Sequence, residues 1–555
     1  VVRPAAIGTP GSPGGPGVTD CGVASQSNET DAGARTAGGA VESVLAGNVA
    51  DLVAAAAHRG PDHPALLEPG RGLALSWSEL DAAVTAEAGR LVGAGTRPGD
   101  RVLIRLGNGA RFCIALFGAL RSGAVAVPVG TQTTERELAV IVADCQPSVL
   151  VAEPDDTAAS NTAGAATVLP PPEPNSTPSS GQSADSVGGG EDLAVLGYTS
   201  GTTGVPRGVQ LSHRALLANR VQIAELRPVP VSPADRVLLQ LPMFHLYGLG
   251  AGLLQVCYAG ATGVLVDRVD PAEVVEAIRT ERITVLAGVP SRYRAMLELP
   301  AEQLRAALVT VRLCTAGGAP LAPDLLRAFA ETTGLSVFEG YGLTEAGPLL
   351  TTTLVGGRTK PGSVGRPLPG GPGVAGVELR LVDADGLADF EPDEDDEFDD
   401  GEQDTGFVAV RGPNLFSGYW PDGAGGPDED GWFRTSDVGF VDADGDLHLV
   451  DRANDLVIVS GFNVYPREVE RVLDEHPSVA ESAVVGVPDP RTGEAVKAVI
   501  VLREGAELTE EQVREHCATR LARFKIPSVV EFAERLPRSA TGKITRLALR
   551  GERES

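Results

Sequence analysis

Several large classes of protein are excluded by what this 555-residue sequence has little of. Its six cysteines, at 21, 113, 145, 257, 314 and 517, include no CxxC pair and no framework suited to a small secreted scaffold, so they read as reduced thiols of a cytoplasmic protein. The seven histidines form no HExxH and no His/Cys cluster at ligand spacing, which leaves a protein-held zinc without support. No stretch of about twenty residues is free of charges and helix breakers. The most apolar candidate, 112–129, contains Arg121 and Pro128, so no transmembrane segment is expected. Cations are scarce too: 46 Lys+Arg stand against 74 Asp+Glu, a net charge of −28 that repels nucleic acid and anionic membranes. An anionic substrate would need local positive groups. The opening VVRPAAIGTPGSPGGPG lacks the apolar core of a signal peptide, and residues 1–42 read as a flexible tail.

What is present is globular material, 43% hydrophobic and 22% charged, long enough for roughly three to four domain-sized units. From residue 43 the pattern is helix, apolar strand, helix, strand. RVLIRL (101–106) reads as a strand, ARFCIALFGALRSG as a helix ending at Gly123, and AVAVPVG as the next strand. The grammar recurs at DPAEVVEAIRTERITVLAGV, where Asp270 is a natural N-cap, Pro271 opens the helix, and Val274, Val275 and Ile278 form its apolar stripe. A parallel sheet flanked by helices, the α/β class, is implied for 43–451.

Two stretches break the pattern. Residues 155–192 are rich in Pro, Ser and Gly and read as a mobile excursion. Residues 381–406 carry thirteen acidic residues and no Lys or Arg, a solvated loop by charge repulsion, without the spacing of a calcium loop. Beyond about 452 the elements become smaller. Pro466 opens a helix, SAVVGV and VKAVIVL read as strands, and Thr509 with Gln512 forms a capping box, which together give a compact α+β domain over 452–555.

The strongest local signal is LAVLGYTSGTTGVPRGVQLSH (193–213). An apolar strand delivers a loop bearing Thr199, Ser200, Gly201, Thr202, Thr203, Gly204 and Arg207, in which backbone N–H groups, hydroxyls and one cation converge as an anion site requires. GxxxxGK[ST] cannot be aligned within it, which disfavours P-loop kinases and GTPases. Four further stretches follow in order: MFHLYG (243–248), GYGLTEAGP (340–348), TSDVGFVDADGDLHLVDRANDLVIVSGFNVYPREVE (435–470) and PRSATGKITR (537–546). With these five motifs the chain, over about 43–550, resembles the adenylate-forming superfamily of acyl-CoA synthetases, luciferases and peptide-synthetase adenylation domains.

The resemblance implies a large adenylate-forming domain with a small mobile C-terminal lid, and an ATP-dependent carboxylate:CoA ligase. A carboxylate is a poor acyl donor, and its conversion by ATP into an acyl-adenylate with loss of pyrophosphate supplies a leaving group that the thiol of CoA can displace. By similarity, Lys543 bridges the substrate carboxylate and the α-phosphate. Glu345 helps hold Mg²⁺, Thr344 contacts the α-phosphate and Tyr341 lies against adenine. Asp437 accepts from the ribose hydroxyls, Arg452 steadies the ribose, and Gly317, Gly318 and Ala319 border the nucleotide. His245 resembles the aromatic beside the carboxylate site, and Gly461 the loop glycine that clears a path for the thiol. The sequence departs from the family in having Arg207 where Lys is usual, in Asn454 at the hinge and in the acidic 381–406 loop. A fatty acid is the expected substrate, from family frequency and the GLGAGLL stretch (248–254), with an aryl or other small carboxylate next. The absence of a carrier-protein domain after the lid argues against an assembly-line module. A free-standing ligase loading a separate carrier protein, and a catalytically silent adenylate-binding scaffold, remain as alternatives.

Overall fold

The structure is a computed structural model that describes residues 45–199, 206–266, 270–383, 405–452, 457–459, 462–489, 491–521, 523–538 and 544–550, with the backbone alone at 451, 452, 458, 462, 463, 493 and 547. The expected tail 1–42 and most of the acidic loop lie outside these residues, as do Ser200 to Gly204, Asn454, Gly461 and Lys543. Among the described residues there are four sheets, of nine, six, five and four strands.

The six-stranded sheet runs in the order Thr167–Leu169, Val149–Ala152, Arg101–Arg105, Val125–Pro128, Leu193–Thr199, Arg207–Ser212, and is parallel except for its last pair. Its helix Ala110–Arg121 is buried almost all round, which explains why that segment is apolar without a polar face. The stretch 155–192 departs from the expectation of a mobile excursion. Asp156 caps the helix Thr157–Thr162 and pairs with the buried Arg105 at 2.8 Å, Thr167–Leu169 adds a parallel edge strand, and the Val187 N–H donates to the Arg121 carbonyl. Backbone pairing and one buried ion pair supply the order that its composition does not.

The nine-stranded sheet has a parallel centre in which Pro64–Glu68, Thr262–Leu265, Arg236–Leu239, Val285–Gly288, Leu313–Ala316 and Val337–Gly342 lie side by side. Register sets the two faces. Val237, Val285, Leu313 and their alternates Ala287, Thr315 and Phe338 turn one way, whereas Leu238, Leu286, Cys314 and Val337 turn into a core covered by helices such as Pro271–Thr280 and Pro323–Thr333. The first face lines the large cleft. Asp270 caps its helix as expected, accepting from the N–H groups of Ala272 and Glu273.

An antiparallel sheet of Glu378–Val382, Gly406–Arg411, Trp432–Val441 and Leu447–Arg452 completes the large domain. The C-terminal part has the expected α+β form, with the helix Pro466–Asp474, the long hairpin Val479–Asp489 and Gly493–Leu502, and a helix Glu510–Ala518 opened by the Thr509–Gln512 capping box. Its core around Val457, Val469, Val484 and Ile500 is separate from the main one. Among the described residues, no helix is long and apolar enough to cross a membrane. The described cysteines are all free and buried.

Candidate functional site

One cleft of about 2660 Å³ gathers most of the described residues singled out above: Thr199, Arg207, His245, Gly317, Gly318, Ala319, Thr344, Glu345 and Asp437 all line it. Thr199 and Arg207 are register partners at the end of an antiparallel pair, so the residues flanking the glycine- and threonine-rich motif are held by strand pairing. Thr344 and Glu345 sit in the short helical turn that follows Val337–Gly342. The Thr344 methyl lies 3.3 Å from where a β-carbon on Gly197 would stand, which brings this turn against the strand that carries the anion loop.

Tyr341 and Asp437 meet directly. The buried Tyr341 phenol donates to Asp437 Oδ2 at 2.6 Å, and Asp437 is itself 5% exposed. Asp437 and Arg452 face each other in the antiparallel register, so the backbone of Arg452 is adjacent, its side chain lying outside the described set. Gly317 sits at a close approach, since a β-carbon there would stand 3.2 Å from the Gly340 carbonyl and 3.3 Å from the Tyr247 ring. Tyr247 in turn donates to the Gly288 carbonyl at 3.3 Å. His245 Nδ1 accepts from the Tyr247 N–H at 3.2 Å, which leaves Nε2 to carry the proton of the neutral ring.

Behind these groups the cleft continues as an apolar recess walled by Ile223, Leu226, Val231, Val237, Val285 and Leu313. The C-terminal domain contributes further lining with Arg467, Glu468, Arg471 and Arg546 among others. A single carboxylate at Glu345, lining a cleft beside a hydroxyl and a cationic strand end, fits the oxygen-rich surroundings that Mg²⁺ takes with phosphates and water. A second acidic group, Asp442, Asp444 and Asp446, is already ion-paired from within: Lys360 Nζ stands 2.5 Å from Asp442 and 2.8 Å from Asp444, and Arg366 stands 3.0 Å from Asp446.

Three residues that sequence reading missed complete the site. Tyr419 donates to Glu345 Oε1 at 2.8 Å. Arg220 is fully buried and hydrogen-bonded to the carbonyls of Gly250 and Gly347 (3.1 Å) and to Asn219 Oδ1 (2.6 Å), so it braces the wide helix Tyr247–Leu254 against the Glu345 loop. Burial pulls its pKa down to about 9. Glu339 accepts from the Leu321 N–H at 3.0 Å, and burial pushes its carboxyl up to about 8 against the opposing pull of that bond and of Arg467. The signal for Glu339 was faint but present, an acid inside a strand of otherwise apolar alternation.

Residues 53–420 match the AMP-binding enzyme family and residues 468–543 match its C-terminal domain. The chain belongs to the AMP-binding enzyme family. Within this family it is 37% identical over 486 residues to a feruloyl-CoA synthase of an Amycolatopsis species, covering 87% of this chain and 94% of that one. It is 32% identical over 550 residues to a long-chain-fatty-acid–CoA ligase of Escherichia coli O157:H7, covering 91% and 94%. Among solved structures, ATP-bound MatB from Rhodopseudomonas palustris superposes with a TM-score of 0.80 at 33% identity, covering 91% of this chain and 98% of that one. The large domain, the smaller C-terminal domain and the adenylate-forming fold are thus those expected from the motifs.

Proposed function

We propose that this chain is an AMP-forming carboxylate:CoA ligase whose acid has an apolar body, aliphatic or aryl. The observation that carries the reading is the continuity of one cleft, lined by an anion-loop strand pair, by Glu345, by Asp437 with the buried Tyr341 bonded behind it, and by an apolar recess. Similarity to a feruloyl-CoA synthase and to a long-chain-fatty-acid–CoA ligase supports the same class and leaves the narrower fatty-acid choice as one of two.

On this reading Tyr341 packs against adenine and Asp437, with Arg452, takes the ribose hydroxyls. Gly317, Gly318 and Ala319 border the base, and the 199–204 loop with Arg207 grips the phosphates. Bound Mg²⁺, held by Glu345, would offset the triphosphate charge. The acid lies in the recess with its carboxylate beside His245, and Lys543 brings the positive charge that lets carboxylate and α-phosphate approach as Thr344 contacts the latter. The C–O bond of the carboxylate is retained, a new O–P bond forms and pyrophosphate leaves. Movement of the lid then exchanges Lys543 for the Gly461 loop, the CoA thiol attacks the acyl carbon, and AMP departs.

The test is acid-dependent ATP–pyrophosphate exchange over a panel of aliphatic and aryl carboxylic acids, followed by CoA thioester formation. Exchange is expected with apolar acids. Absence of exchange with every acid, under conditions where ATP binds, would make the chain a silent binder and overturn the reading.

A further inference from the structure

The family usually has Lys where this chain has Arg207, and the structure offers a reason that the motif itself does not contain. The Arg207 guanidinium lies 3.7 Å from the centroid of the Tyr419 ring, a distance at which a planar cation can stack face to face, as a compact ammonium cannot. The same ring donates its hydroxyl to Glu345 Oε1 at 2.8 Å. One side chain therefore touches both the cation of the anion-loop strand and the carboxylate placed for Mg²⁺.

Tyr419 is held firmly enough to transmit position. Its neighbours Ser417, Gly418 and Trp420 exchange backbone hydrogen bonds with Gly208 and Gln210, on the strand that begins at Arg207. Gln210 Nε2 donates to the Tyr419 carbonyl at 3.0 Å. Phe416 packs edge-on against the ring at 5.1 Å, and its N–H donates to the Glu345 carbonyl at 2.9 Å. Gly425, at φ +69°, gives room to the stack, since a β-carbon there would meet the Tyr419 ring at 3.2 Å.

We propose that Tyr419 is a positioning residue that sets Arg207 and Glu345 relative to each other, so that the cation and the metal-binding carboxylate grip one polyphosphate together. This rests on the ATP-using reading above. The ring fixes the plane of the guanidinium, and the hydroxyl holds one oxygen of the Glu345 carboxylate, which would leave the other for a metal. Arg207 is thus matched to its platform.

The experiment measures ATP binding to the full chain by calorimetry across a Mg²⁺ titration, for the parent, Tyr419→Phe, Tyr419→Leu, Arg207→Lys and the Arg207→Lys/Tyr419→Leu double variant, with melting temperatures alongside. Tyr419→Phe keeps the ring and removes the hydroxyl, and the Mg²⁺ concentration needed for ATP binding should rise roughly tenfold while metal-free ATP binds as in the parent. Arg207→Lys should weaken ATP binding in the parent but add little in the Tyr419→Leu background, because the platform is already gone. A Tyr419→Phe protein with the parent's Mg²⁺ dependence, whatever its melting temperature, or fully multiplicative Arg207 and Tyr419 effects, would overturn the proposal. ATP binding needs no acid, so a parent lacking acid-dependent exchange would defeat the proposed function while this readout still decides the role of Tyr419.

Discussion

The large domain carries Tyr341 within its main hydrophobic core and Asp437 beside it, so this part of the site is built into the same packing that holds two sheets together. The C-terminal part instead has a small core of its own, around Val457, Val469, Val484 and Ile500, and meets the cleft through charged groups such as Arg467 and Arg471. Buried packing fixes geometry but cannot change it within a reaction, whereas a separately cored unit with a polar face can move without unfolding either core. The difference suits a division in which the first region binds and the second delivers.

That contrast breaks first at Lys543. Lys543→Ala should lower acid-dependent pyrophosphate exchange roughly 10²- to 10³-fold, and should spare thioester formation from a preformed acyl-adenylate. Equal loss in both assays would mean that the lid does not alternate. The reciprocal variant, Gly461→Leu, should cost thioester formation on the order of 10²-fold and leave exchange near the parent rate. In the fixed region the effects should fall on binding. Asp437→Asn removes the charge that Tyr341 donates to and that the proposed function assigns to the ribose, and should raise the ATP KM roughly tenfold with a smaller change in kcat. A kcat loss without a KM change would place Asp437 in the chemistry instead.

A last effect falls on stability rather than on activity. The Glu339 carboxyl titrates near 4.5 when unfolded and is raised to about 8 by burial in the fold. Between these values the folded chain keeps a proton that the unfolded chain has lost, so the stability linked to Glu339 is fully present below pH 4.5 and falls as pH rises to 8. Glu339→Gln keeps an acceptor for the Leu321 N–H and has no charge to bury. Its melting temperature should exceed the parent's by a margin that widens from pH 5 to pH 8, with an effect of at most a few kcal/mol. A margin independent of pH would show that Glu339 is already ionised in the fold.

The motifs made much of this legible because their chemistry is local. The loop from Thr199 to Arg207, the YGLTE turn and the alternation of RVLIRL each depend on neighbours in sequence, and the described parts stand where their patterns placed them. Tyr419 was not legible, since its partners Glu345 and Arg207 are distant in the chain and a Tyr before Trp reads as ordinary packing. Arg220 was hidden for another reason. A lone Arg in a helix usually faces water, and acceptors distant in the chain, among them the carbonyls of Gly250 and Gly347, help make its full burial tolerable. The 155–192 stretch failed in the opposite direction, because composition cannot reveal that Thr167–Leu169 finds an unpaired sheet edge.

The Tyr247 ring lies close to the Gly317 loop, 3.3 Å from where a β-carbon on that glycine would stand, and the two form a shared stretch of the cleft wall. Anyone repurposing this protein for a bulkier acid would find that trimming Tyr247 also loosens that loop. Changes deeper in the recess, at Ile223 or Val231, leave that wall standing and are the sounder place to begin.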